Sequence, residues 1–170
     1  MMLSKITWIL FCLVLFDSCG TDSEISGPIE IYRISTYEIA SGTHQIDESS
    51  VVTFDTPLIR YADIRAYDAA NYFFEISDQA RSTLLDPSFA QPGIPFAVKA
   101  GGKIIYTGYF WWSYSSAFCD WLVADLTFLQ ADKILQINLG YPGTTDNINI
   151  PDRRNDPALL EILRRDGKLK

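Results

Sequence analysis

Few residues in this 170-residue chain can do chemistry. There is one histidine, His44, and of three cysteines only Cys119 lies outside the first 19 residues. A thiol–imidazole pair could be built only from Cys119 and His44, far apart in sequence. One thiol makes no internal disulfide. Its ordinary role is a small buried apolar residue; intermolecular pairing and reactive chemistry are the alternatives. Asp120 and Asp125 could serve glycoside hydrolysis if held about 5–10 Å apart, but strand alternation predicts opposite faces and solvated carboxylates. Asp146-Asn147 and Asp152 to Asp156 are oxygen-rich, without the ligand spacing of an EF-hand. Gly101-Gly102-Lys103 lacks phosphate-loop spacing. His44, beside Gly42 and Gln45, reads as a solvated loop residue. No catalytic set, metal site or cofactor is predicted.

The aromatic segment is the stronger surface feature. Phe110 and Trp112 share one face of an extended chain, and Tyr109 and Trp111 share the other. One face must enter the core. The other could form a platform for sugar, peptide or protein, so Tyr109, Trp111, Trp112 and Tyr114 are the candidate platform, with Ser113, Ser115 and Ser116 at its rim. The alternative is that both faces are covered.

Several short strands must position these groups. Ile29 to Ile34 alternates apolar and polar residues, the period of a half-buried strand. Ser41 to Ser50 reads as a loop or hairpin connection, and Val51 to Phe54 as a short β-prone piece. Ile64–Tyr67 and Tyr72–Ile76 flank a turn at Asp68–Asn71, with Asn71 suited to a left-handed conformation. Ser77 is a helix N-cap candidate for residues 78–85, stopped by Asp86-Pro87. Gly101-Gly102 joins Phe96–Lys99 to Lys103–Tyr106 as a hairpin. Trp121–Val123 and Ile134–Leu139 are further strands. After a coil over 141–156, Pro157 opens a helix with Ala158, Leu159, Ile162 and Leu163 on one stripe and Gly167 as its cap. About seven strands and two helices predict an α+β fold: a mostly antiparallel sheet with one short internal helix and a C-terminal helix packed on it. The expected boundaries are 1–18 for a leader, 19–28 for a tether and 29–170 for a single domain.

Composition narrows the partners. Almost half the residues are hydrophobic, which excludes a disordered chain. The net charge is -7 and no basic run offsets it, so nucleic acid is not an expected partner. Ile6 to Phe16 is an apolar run of eleven residues. That is too short for a span of about 20 and suits a signal-peptide core. Ser18 then precedes Cys19, and Gly20 to Glu24 is polar.

Ser18-Cys19 after this run resembles the lipobox of bacterial lipoproteins, in which the cysteine becomes the lipidated first residue. Phe16 and Asp17 depart from its usual pattern, as in the relaxed boxes of Bacteroidetes-type bacteria. An ordinary signal peptide cut nearby and an uncleaved anchor are the alternatives. The resemblance implies lipid attachment at Cys19, a membrane partner through that lipid and, from Gly20, the outer rather than the inner membrane. Thr56 to Ser116, with TPLIRYADIRAYDAANYFFEISDQARSTLL and GIPFAVKAGGKIIYTGYFWWSYSS, looks like small uncharacterised periplasmic lipoproteins. It is more distantly similar to the head subdomain of the SecD periplasmic region. The second likeness implies a fold and a non-enzymatic scaffold, not a role in translocation. Three functions are expected to compete: a binding or structural module of the cell envelope with a protein or carbohydrate partner, an envelope hydrolase using Asp120 or Cys119, and an accessory subunit docking through the C-terminal helix.

Overall fold

A computed structural model describes residues 27–143 and 149–170. The leader, Cys19, most of the tether, Asp146 and Asn147 lie outside the described residues. The expected α+β fold is found. Eight strands form one mixed sheet: β1 (Ile29–Ile39), β2 (Ile46–Thr53), β3 (Ile64–Asp68), β4 (Phe73–Ile76), β5 (Ile94–Ala100), β6 (Lys103–Trp111), β7 (Cys119–Asp125) and β8 (Ile134–Tyr141). Their order is β2-β1-β5-β6-β7-β8-β4-β3. The helices are α1 (Asp78–Leu84) and α2 (Pro157–Arg165). Among the described residues no helix is long and apolar enough to cross a membrane.

Every pairing is antiparallel except β6 with β7. Their link, residues 112–118, is far shorter than the dozen residues usual between parallel neighbours. It is held down where the Tyr141 hydroxyl donates to the Ser113 carbonyl, 2.5 Å away.

The local signals act where expected. Ser77 Oγ accepts from Ala80 N at 3.1 Å and donates to Asp63 Oδ1 at 2.5 Å, so one hydroxyl caps α1 and ties it to the segment before β3. Gly101 and Gly102 take φ of 55° and 81° in the β5–β6 turn, which the two glycines adopt without a Cβ penalty. Asp156 caps α2 through Ala158 N at 3.0 Å. Past Gly167 the chain runs along β3: Tyr67 N donates to Lys168 O and Lys170 N to Tyr67 O, at 2.8 and 2.9 Å. That covers an edge strand that would otherwise be open to pairing.

Two expectations need correction. Residues 46–50 are strand, because Ile46 is buried and pairs with Ile39, so only the tip of the 41–50 stretch is loop. In the β3–β4 turn the left-handed residue is Tyr72 at φ 56°, not Asn71. Asp68 Oδ1 accepts from both Ala70 N and Asn71 N at 2.9 Å, and this turn moves the reversal one residue on.

At β6 and β7 the sheet is covered on both sides. The first part of β1, Ile29 to Arg33, pairs with β5. Its second part, from Ile34, pairs with β2 instead, and the two form an arm at the end of the sheet. Contacts along β6 separate the sides. Tyr106 and Phe110 meet Phe96, and Phe110 meets Phe89. Thr107 and Tyr109 face the arm, at Glu48 and Tyr37. The seven residues of β7 are all buried. Isoleucine bridges also bring the chain entering β3 beside β1, at Ile31 and Ile59.

Gly108 marks a tight place in the core. A Cβ there would lie 2.7 Å from both the Leu122 carbonyl oxygen and the Phe96 ring. Gly108→Ala should therefore lower the unfolding free energy by about 1–3 kcal/mol, the usual cost of overpacking. Urea denaturation followed by tryptophan fluorescence measures this, and an unchanged midpoint would contradict the packing described.

Candidate functional site

Cys119 and His44 do come into one neighbourhood, but not as a dyad. His44 pairs with Asp120. Asp120 Oδ1 accepts from the His44 backbone N–H at 2.6 Å and sits 2.8 Å from ring Nδ1. A carboxylate there requires Nδ1 to carry the proton. The Tyr109 hydroxyl donates to the His44 carbonyl at 2.9 Å, and Gln45 Nε2 to Asn149 O at 3.2 Å. The tip of the arm is thus pinned across β6 and β7. His44 is half-exposed and lies edge-on to Phe118. Among the described residues no hydroxyl or thiol forms a hydrogen bond to the ring. The predicted solvated loop histidine is instead a fastening.

Cys119 is buried, and its Sγ donates to the Trp121 carbonyl at 3.9 Å. Burial pushes its thiol up to about 11. The thiol therefore keeps its proton at neutral pH, and a protonated thiol is a poor nucleophile.

The expected wet face of Asp120 and Asp125 is also corrected. Both are buried. A register shift between Cys119 and Leu122 breaks the strict alternation that placed them on opposite faces. Asp125 Oδ1 accepts from Thr127 N at 2.8 Å, and Oδ2 accepts from the Ser113 hydroxyl. These bonds fasten the 3-10 turn Thr127–Gln130 and the start of the β6–β7 link to the end of β7.

The proposed aromatic platform does not form. Tyr109, Trp111 and Trp112 are each 5% exposed. The arm covers Tyr109, and Trp112 Nε1 donates to the Phe89 carbonyl at 2.7 Å on the other side. Only Tyr114, 69% exposed, remains outside, stacked on Trp112 at 5.4 Å. Both faces of β6 are needed for the core, so neither is left for a ligand.

The acidic loop is likewise engaged. Arg154 lies against the Tyr72 ring at 3.6 Å and donates to both carboxylate oxygens of Asp152, at 2.9 and 2.7 Å. These bonds hold the Asp152 carboxyl below its usual range. Asp156 serves the α2 cap. Among the described residues no three His, Cys, Asp or Glu side chains gather in a way that could hold a metal ion.

An open recess lies elsewhere, beside β8. Its volume is about 540 Å³, and Asp125, Phe128, Asn138, Tyr141 and Arg154 line it with Ser113. That size is ordinary for a small-ligand site, roughly 300–1,000 Å³. Phe128 is 52% exposed. Ser113 and Asp125 were singled out from sequence for other roles; Phe128 and Asn138 were not. The signal was present: in Ile134-Leu135-Gln136-Ile137-Asn138 the amides alternate with apolar residues, which marks one face as available for hydrogen bonding.

No family model, curated protein or solved structure matches the chain.

Two outcomes are expected. Cys119 should resist iodoacetamide in the native protein at pH 8 and react rapidly once urea exposes it, as read by mass spectrometry. Fast native labelling would contradict the buried, protonated thiol. Asp120→Ala removes both bonds to His44 and should cost about 1–3 kcal/mol. Amide exchange should rise at His44 and Gln45 above its rise in the β6 core; equal protection in the variant would show that Asp120 does not hold the arm.

Proposed function

We propose that the chain is a lipoprotein of the cell envelope that works as a binding module, held to a membrane by acyl chains on Cys19. Its leader supports the address: Ile6 to Phe16 suits a signal-peptide core, and Ser18-Cys19 supplies a cleavable, lipid-accepting end. Acyl chains contribute about 0.8 kcal/mol for each buried methylene, so two or more make a durable anchor. Gly20 favours the outer membrane, by the resemblance set out above. Strand β1 begins at Ile29, ten residues after Cys19, so the link can hold the sheet no more than about 36 Å from the lipid.

The observation that carries binding over catalysis is the recess beside β8. It gathers hydrogen-bonding side chains and an exposed ring around an open volume. Cys119 is sealed and protonated, and Asp120 is bound to the arm. The C-terminal helix turns Leu159, Ile162 and Leu163 into the core, so its apolar stripe is already covered. A partner would therefore meet the sheet rather than this stripe.

Metabolic labelling with an alkyne fatty acid tests the anchor. The intact chain should take the label and fractionate with membranes, and Cys19→Ser should lose both properties. A labelled Cys19→Ser chain, or an unlabelled intact chain, would overturn the anchored reading.

A further inference from the structure

Three recesses line up along the outward side of β8. The largest, about 540 Å³, lies over Asn138 to Tyr141. The next, about 250 Å³, lies over Ile134 and Gln136, and Phe128 is a wall of both. A third, about 310 Å³, shares Asp132 and Ile134 with the second and extends past Glu75 to Arg65. Strand geometry explains the alignment. Gln136 and Asn138 face outward, while Leu135 and Ile137, which alternate with them, are fully buried. At 3.3–3.4 Å per residue, Ile134 to Tyr141 spans about 23 Å. The result is a groove rather than a single pit.

We infer that this groove holds an extended, neutral glycan chain, with sugar rings laid on Phe128 and hydroxyls bonded to the amides of Gln136 and Asn138. This rests on the binding-module reading above and names its ligand class. Sugar rings present an apolar face of C–H groups and a rim of hydroxyls. Phe128 matches the face, since its half-exposed ring stands at the junction of two recesses. The amides match the rim: Gln136 offers an acceptor, and Asn138 both a donor and an acceptor. Gln136 Nε2 is held by Asn71 O at 2.6 Å, which leaves its carbonyl oxygen to accept. Among the described residues no hydrogen bond engages the Asn138 amide.

Charge argues for a neutral occupant. Arg154 faces the groove, but its guanidinium is paired with Asp152. Arg65, Lys133 and Arg154 line the groove together with Asp125, Asp132 and Glu75, so its charges balance and it selects neither a polyanion nor a polycation. Topology argues against a peptide. Peptides bound as added strands need an exposed sheet edge, and β8 is paired on one side with β7 and on the other with β4.

The test uses the full chain purified from membranes in a detergent without sugar groups. Maltohexaose, cellohexaose, laminarihexaose and N-acetylchitohexaose are titrated in turn by calorimetry, beside a mixture of unstructured octapeptides. At least one glycan should bind. Phe128→Ala and Asn138→Ala should each weaken it about tenfold, equivalent to 1.4 kcal/mol, with unchanged thermal unfolding. Binding by none of the four glycans, binding that survives both substitutions, or binding of the peptides alone would overturn the inference. Intact mass of the same preparation separates the two readings. An acylated chain that fails these titrations removes only the glycan assignment. A chain without acyl mass removes the anchored module, even where a glycan binds.

Discussion

Strand β7 is buried from end to end, and that demand for cover on both sides organises the molecule. A strand at the sheet's interior with no solvated face needs two layers around it. One layer is the aromatic packing of Phe89, Phe96 and Phe110 beside Tyr106. The other is the β1–β2 arm, which parts from β5 after Arg33 and crosses to reach β6 and β7. The arm ends at β7. Among the described residues the outward side of β8 is therefore uncovered, and the recesses open there. These recesses form because the second layer is narrower than the sheet.

Covering β7 also buries polar groups, and their bonds decide which side chains are available for chemistry. Asp120 is satisfied by His44, Asp125 by Ser113 and Thr127, Trp121 by Thr107 at 2.9 Å, and Trp112 by Phe89. A buried acceptor without a partner costs about 1–3 kcal/mol, more when charged, so these groups are committed to structure. Three buried atoms lack protein partners among the described residues: Tyr106 Oη, Trp111 Nε1 and Arg33 Nε. The Arg33 guanidinium lies 5.6 Å from the Phe54 and Phe89 rings, which offer it a π face. Tyr106 has a hydroxyl pushed well above its ordinary value by burial, so it stays neutral.

Much of the fold was legible because its signals are local. Ser77 before Asp78, Gly101-Gly102 between β-prone runs, and Asp156-Pro157 before an apolar stripe each act within four residues. Each behaves as local rules require. The candidate site was less legible. Residue type pointed to Trp111, Trp112, Cys119 and Asp120, the groups with the most chemistry to offer. Those same groups carry the most apolar area or sit nearest the centre, and the core claims them. Gln136 and Asn138 look ordinary, and their alternation is informative only once β8 is known to face solvent on that side.

The sequence by itself determined the α+β composition, the caps and turns, the apolar run before Cys19 and the acidic balance, since each depends on neighbours along the chain. Tertiary structure alone decided three things. It made the β6–β7 pairing parallel, it folded the arm over Tyr109 and Asp120, and among the described residues it left one side of β8 open. These depend on which distant segments share a face. Composition does not encode that choice: it follows from burying β7 on both sides with a limited length of covering chain.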